Sequence, residues 1–173
     1  QMKDRELWKE IYRKYAKRML TVCMRYAPGR EQAEDMMHDG FIQVFRSLDK
    51  FTDRGEGSMR AWMERVMINT CLQQLRKKDL LRNSSLVEAE KEPADDDSLE
   101  AAAERIPAPV LRGFIQELPP GYRAVFNLYV FEGMSHKEIA GTLNIKEKTS
   151  SSQLYRAKCL LASQIKEYER KQQ

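Results

Sequence analysis

The chain has 173 residues, of which 42% are hydrophobic and 32% charged, and its net charge is +4. That length holds one domain or two small ones, and the composition is that of a soluble chain more charged than average. No apolar run approaches the roughly 18 residues of a membrane span, and the opening QMKDRELWKE lacks the apolar core of a signal peptide.

The distribution of charge says more than its sum. From Leu86 to Glu104 eight acids face one base, Lys91, a balance of −7, so the remainder of the chain carries +11. Two basic lobes joined by an acidic strap suggest a polyanion partner bound through counterion release. Cys23, Cys71 and Cys159 lie far apart in apolar helical contexts. They read as small core residues in a reducing compartment, not as bridges or a metal site, and the expected location is cytoplasmic.

In chain order, Leu7, Ile11, Tyr15, Met19, Val22, Cys23 and Tyr26 recur at helical spacing, and Pro28 and Gly29 end that helix. A second helix is expected over 31–48. Ala33, Met37, Phe41, Val44 and Leu48 share its inner side, while Asp35, Asp39, Ile42 and Arg46 share the outer one. An isoleucine among charges on an outward face suits a partner helix better than water. Glu34, Asp35, His38 and Asp39 could also be read as metal ligands, but a carboxylate-bridged helical site needs a second such motif, and none is present.

TDRGEGS, residues 52–58, is a polar loop, and Ser58 opens a third helix with Ala61, Ile68, Leu72 and Leu75 as its core stripe. Along an edge of that stripe run Trp62, Arg65, Asn69 and Arg76, and the helix closes on Arg76, Lys77 and Lys78. Aromatics stack bases, amides read their edges and cations hold the backbone, so this edge suits single-stranded nucleic acid. Residues 83–109, acidic and carrying three prolines, read as a flexible linker with a helical turn near 99–105. Pro119 and Pro120 then start a scaffold helix.

MSHKEIAGTLNIKEKTSSSQLYRAKCLL, residues 134–161, reads as a helix-turn-helix. Ser135 and Glu138 form a capping box, Ile139, Ala140 and Leu143 an apolar stripe, and Asn144 occupies the left-handed helix end. The next helix, from about Glu147, turns Leu154, Ala157 and Leu161 to the core. Its other side carries Lys148, Thr149, Ser151, Ser152, Tyr155, Arg156 and Lys158, a polar cationic face of the kind that enters a major groove. The fold class expected is all-α, two small helical domains joined by an acidic flexible linker, with boundaries 1–82, 83–109 and 110–173.

These lobes in this order resemble an extracytoplasmic-function (ECF) sigma factor, the small class of bacterial transcription initiation factor. AEDMMHDGFIQVF and RAWMERVMINT are similar to its second sigma domain, and LPPGYRAVFNLYVFEGMSHKEIA to its fourth. The resemblance implies that Asp35, Asp39, Ile42 and Arg46 dock on the clamp helices of core RNA polymerase. It implies that Trp62, Arg65, Asn69, Arg76 and Lys77 hold the melted minus-10 strand, with Asn69 at the position associated with a flipped base and TDRGEGS walling the pocket. Lys148, Thr149, Ser151, Ser152, Tyr155 and Arg156 would read duplex minus-35 promoter DNA, and the linker would thread through polymerase. Such a factor is not an enzyme: it carries no catalytic residues, cofactor or metal of its own, is a monomer when free, and is often held by an anti-sigma protein.

The sequence departs from the family pattern at four points. Ser150 and Ser151 stand where many members have an apolar and a basic residue, Gln153 replaces a frequent Arg, and Asn144 replaces a usual Gly. The recognition helix is therefore less cationic than the family norm. Two other readings use the same residues, a dimeric helix-turn-helix operator-binding regulator and a metal-dependent helical enzyme centred on Glu34, Asp35 and His38.

Overall fold

The computed structural model describes residues 2–77 and 96–173, and all regular structure among them is helical. The chain divides into two compact units, Gln1–Lys78 and Asp79–Gln173.

The first unit is three helices packed on one another: α1 (Met2–Tyr26), α2 (Arg30–Arg46) and α3 (Ser58–Lys77). The apolar stripe of α1 behaves as expected from Ile11 onward, with Met19, Val22, Cys23 and Tyr26 buried. Leu7 does not join it. Residues 2–10 are all exposed, and only Trp8 on that overhang finds a flat partner, stacking on Phe45 at 4.9 Å. Helix α2 buries Ala33, Met36, Met37, Gly40, Phe41 and Val44. It ends at Arg46, two residues early, because the Ser47 amide donates to Gln43 and Val44 carbonyls and the chain tightens into a 3-10 turn, Leu48–Lys50. Leu48 is thus only half-buried.

Helix α3 differs most from its sequence reading. Ile68, Leu72 and Leu75 are buried, but Ala61 is exposed, and the centre of the core face is Met63, Met67 and Cys71. Methionine fills irregular gaps that periodicity alone does not weigh. Gly40 of α2 lies against Met67, so closely that a Cβ there would run into the thioether sulfur. The Cys23 and Cys71 thiols hydrogen-bond across α1 and α3; that bond, with burial, pushes the Cys71 thiol well above its ordinary pKa. Both cysteines are free, and a neutral buried thiol is an unreactive core residue.

The second unit is built on the long helix α8 (Glu147–Lys171), against which α4 (Asp96–Glu104), α5 (Ala108–Glu117), α6 (Pro120–Val130) and α7 (His136–Leu143) pack. The helical turn expected near 99–105 is α4, over 96–104, and 108–109 already belong to α5, while 83–95, with the expected boundary at 82–83, lie outside the described residues. Three consecutive alanines, Ala101–Ala103, favour a helix, and α8 supplies the surface it needs. Arg105 donates to Glu169 Oε1 from Nε and Nη2 at 3.1 and 3.0 Å, and Ile106 is buried. Further along, Phe114 meets Tyr168 edge-on at 6.3 Å and Gln164 donates to Glu117 at 3.0 Å.

Helix α6 starts at Pro120 with Pro119 as its cap, as the Pro-Pro pair predicts. It buries Val125, Phe126 and Leu128, and also Arg123 and Asn127, two polar residues the apolar pattern does not announce. Burial pushes the Arg123 pKa down to about 10, so it remains a cation at neutral pH, and its Nη2 donates to the Leu118 carbonyl at 2.9 Å.

Candidate nucleic-acid and partner interfaces

Helix α3 presents Arg65, Asn69, Arg76 and Lys77 to solvent, with Trp62 half-buried at the head of the row. Met67 and Asn69 are two residues apart, roughly 160° around the helix, so the polar row faces away from the methionines and runs along the Leu72 edge of the buried stripe. Trp62 tilts against Phe51, ring centroids 5.3 Å apart, which holds its plane beside the loop that precedes α3. The helix is tied to the bundle by polar bonds near both of its ends. Arg18 Nε of α1 donates to Glu64 at 2.8 Å, and Gln74 Nε2 donates to Asp39 of α2. The row is therefore an exposed, cationic strip on a helix with little freedom to roll.

The loop before α3 closes on itself. Asp53 Oδ1 accepts from the Gly55 amide at 3.0 Å and from the Ser58 hydroxyl at 3.1 Å, and Ser58 Oγ accepts from the Arg54 amide at 3.2 Å. Gly55 and Gly57 sit at φ +116° and +82°, where a side chain would be strained. Ser58 was read as the start of α3, but Asp53 and its bonds within the loop were not singled out. The Asp at i bonding a backbone amide at i+2, ahead of Gly, is a turn signal that could have found them.

On α2 the structure brings Asp35, Asp39, Ile42 and Arg46 onto one exposed face opposite the core, with Ile42 47% exposed. The expected grouping is observed. What the sequence did not reveal is that Asp39 is engaged by Gln74, so this face and α3 share a side-chain contact. Glu34 pairs with Arg30 at 3.1 Å, and among the described residues no group of His, Cys, Asp and Glu is arranged to hold a metal ion.

The helix-turn-helix has the local features its sequence announces. Ser135 Oγ accepts from the Glu138 amide at 3.1 Å, and Glu138 Oε1 accepts from the Ser135 amide at 3.2 Å, completing the capping box. Asn144 is left-handed at φ 55°, ψ 49°, which an Asn tolerates. From Lys146 the chain enters α8, where Leu154, Ala157 and Leu161 are buried. Lys148, Ser151, Ser152 and Tyr155 are exposed and Thr149 and Arg156 half-exposed, all on the side away from that core. Ser152 donates to the Thr149 carbonyl at 3.2 Å. Burial raises the Cys159 thiol's pKa while a hydrogen bond with Tyr155 lowers it; the raise prevails.

Ser150 breaks with its neighbours. It is fully buried, and its Oγ lies 2.9 Å from His136 Nδ1 of α7. The helical phase with Leu154 and Ala157 signals this in the sequence.

The sequence of each unit is similar to that of known proteins. Residues 11–80 match the family model of sigma-70 region 2, and residues 110–161 that of sigma-70, region 4. The ECF RNA polymerase sigma factor SigE of Mycolicibacterium smegmatis is 30% identical over 164 residues, covering 93% of this chain and 61% of the relative. The RNA polymerase sigma-H factor of Pseudomonas aeruginosa is 29% identical, covering 90% and 84%. The ECF RNA polymerase sigma-E factor of Escherichia coli K12 is 25% identical with the same shares. The chain therefore spans less than two thirds of the Mycolicibacterium protein and most of the other two. It belongs to the sigma-70 family, in its ECF group. No described helix is long and apolar enough to cross a membrane.

Proposed function

We propose that this chain binds core RNA polymerase and directs it to specific promoters, reading minus-10 as melted single strand and minus-35 as duplex. The observation that carries this reading is the pairing, in one chain, of sigma-70 region 2 and region 4 in family order. In it, the α2 face of Asp35, Asp39, Ile42 and Arg46 binds polymerase. The α3 row of Trp62, Arg65, Asn69, Arg76 and Lys77 captures the unpaired minus-10 strand, stacking and reading bases once the duplex opens. The α8 face of Lys148, Thr149, Ser151, Ser152, Tyr155 and Arg156 reads minus-35 from the major groove. The chemistry of RNA synthesis stays with polymerase, and the chain works by binding alone. It acts in the cytoplasm as a monomer when free, and an anti-sigma protein covering the same faces is the natural means of holding it inactive. A dimeric operator-binding regulator, whose first lobe would be a sensor or dimerisation domain, is not favoured, because that lobe matches sigma-70 region 2.

Transcription in vitro tests this. The full chain is mixed with core bacterial RNA polymerase and a library of promoter fragments. Specific transcripts that share two spaced upstream elements are expected. Protection of duplex DNA by the chain alone, with no transcript, would point to the regulator instead.

A further inference from the structure

The recognition helix carries a polar residue at a place where the fold asks for an apolar one. Ser150 lies in the first turn of α8, in phase with Leu154 and Ala157, and is fully buried. A buried hydroxyl left without a partner is costly, and here the partner is the imidazole of His136, Nδ1 to Oγ 2.9 Å. His136 is itself held from two sides. It is the first residue of α7, directly after the capping box closed by Ser135 and Glu138. Its ring also stacks on Tyr129 of α6 at 4.8 Å with 19° between planes, and Lys158 Nζ of α8 sits 5.9 Å from the same Tyr129 ring. Three helices thus converge on one imidazole.

The consequence is directional. An apolar side chain at position 150 would hold α8 by burial alone, which is indifferent to small rolls of the helix about its axis. A hydrogen bond to a ring clamped on Tyr129 is not indifferent, because its strength falls steeply with angle. Thr149, Ser151 and Ser152, on either side of Ser150, belong to the DNA-facing set, so any roll at Ser150 re-aims all three. Few cations on that face leave geometry a larger share of the selectivity.

We propose that His136 and Ser150 are positioning residues that fix the roll of the recognition helix and so sharpen minus-35 discrimination, an inference that rests on the promoter-reading function proposed above. Neither residue touches DNA in this scheme; both act through Thr149, Ser151 and Ser152.

The test uses holoenzyme assembled from the full chain and two promoters with the same minus-10 element, one with its selected minus-35 and one with minus-35 scrambled. The readout is the ratio of transcripts from the two. His136→Ala and Ser150→Ala are each expected to lower the ratio roughly three- to tenfold, the equivalent of one net hydrogen bond. The two substitutions together should lower it no further, and Ser150→Thr, which keeps the hydroxyl, should retain the wild-type ratio. Output from the scrambled promoter should be the same throughout. Additive losses, an unchanged ratio in both single variants, a loss in Ser150→Thr equal to that in Ser150→Ala, or an equal fall on both promoters would overturn the lock. If the wild-type chain gives no promoter-specific transcript at all, the promoter-reading function fails and the lock falls with it, an outcome separable from a working wild type with unaffected variants.

Discussion

The two units bury different kinds of core, and hold their working helices by different means. The first packs Met19, Met36, Met37, Met63 and Met67 with Cys23 and Cys71, a sulfur-rich interior of flexible side chains. In the second, the described core is Ile115, Val125, Leu128, Ile139, Leu143, Leu154, Leu161 and Ile165 with aromatics, and contains no buried methionine. Soft cores adapt and specify position weakly. In the first unit α3 is tied at the periphery by Arg18 to Glu64 and Gln74 to Asp39, besides the Cys23–Cys71 bond inside. In the second, α8 is held from inside by Ser150 on His136. The helix proposed to receive an extruded base sits on the adaptable core. The one proposed to meet a rigid duplex in register sits on the branched core. The difference follows the rigidity of each proposed target.

The largest break of that comparison should come from the second core. Leu128→Ala, at a position almost wholly buried, is expected to cost about 2–5 kcal/mol, read by urea unfolding of the full chain. A cost under ~1 kcal/mol would mean that this core relaxes as readily as the first. Next in size are the two DNA-facing variants. Asn69→Ala should weaken promoter opening by roughly 1–3 kcal/mol while leaving polymerase binding intact, followed by permanganate footprinting beside a polymerase titration; equal loss in both would remove Asn69 from the melting row. Arg156→Ala should weaken promoter binding by roughly 1–3 kcal/mol, and only where minus-35 is required. Unchanged transcription from such a promoter would exclude Arg156 from base reading.

Two smaller effects sharpen the first unit. Gln74→Ala removes the donor to Asp39, and the net loss expected is about 0.5–1.5 kcal/mol. It should appear both in polymerase affinity and in promoter opening, because the bond joins the α2 face to α3. An effect on stability alone would make it an ordinary surface bond. Met67→Leu, a volume-conserving change in the soft core, should cost less than ~1.5 kcal/mol in the same urea experiment. A loss as large as that of Leu128→Ala would erase the contrast between the two interiors.

The second unit's local devices were legible in the sequence because each is a short-range pattern. Ser135 with Glu138, Asn144, and Pro119 with Pro120 act within a few residues of themselves, and all three behave as their chemistry dictates. The outward grouping of Asp35, Asp39, Ile42 and Arg46, and of the α3 row, follows from the 3.6-residue period and was equally legible. Leu7 and Ala61 were misread for one reason: periodicity gives a residue's phase but not whether a neighbour reaches that far along the helix. The overhang of α1 leaves Leu7 uncovered, and the core of α3 is centred on methionines that a branched-aliphatic stripe passes over. The helical turn near 99–105 was legible, but the partner that anchors its end, Glu169 on α8, lies too far along the chain for a local pattern to show.

The sequence by itself determined the helical class, the two lobes, the turn geometry of the helix-turn-helix and the outward grouping of the polar rows on α2, α3 and α8. These depend on backbone preference, capping and helical period, all of which act over a few residues. Only the tertiary structure decided the pairings: Gln74 with Asp39, Arg105 with Glu169, Cys23 with Cys71, and His136 with Ser150. Each joins residues brought together by helix packing, from 14 to 64 positions apart in the case of the hydrogen bonds of His136 and Arg105. A buried serine reads in the sequence like an exposed one until the neighbouring helix supplies the imidazole that makes its burial tolerable.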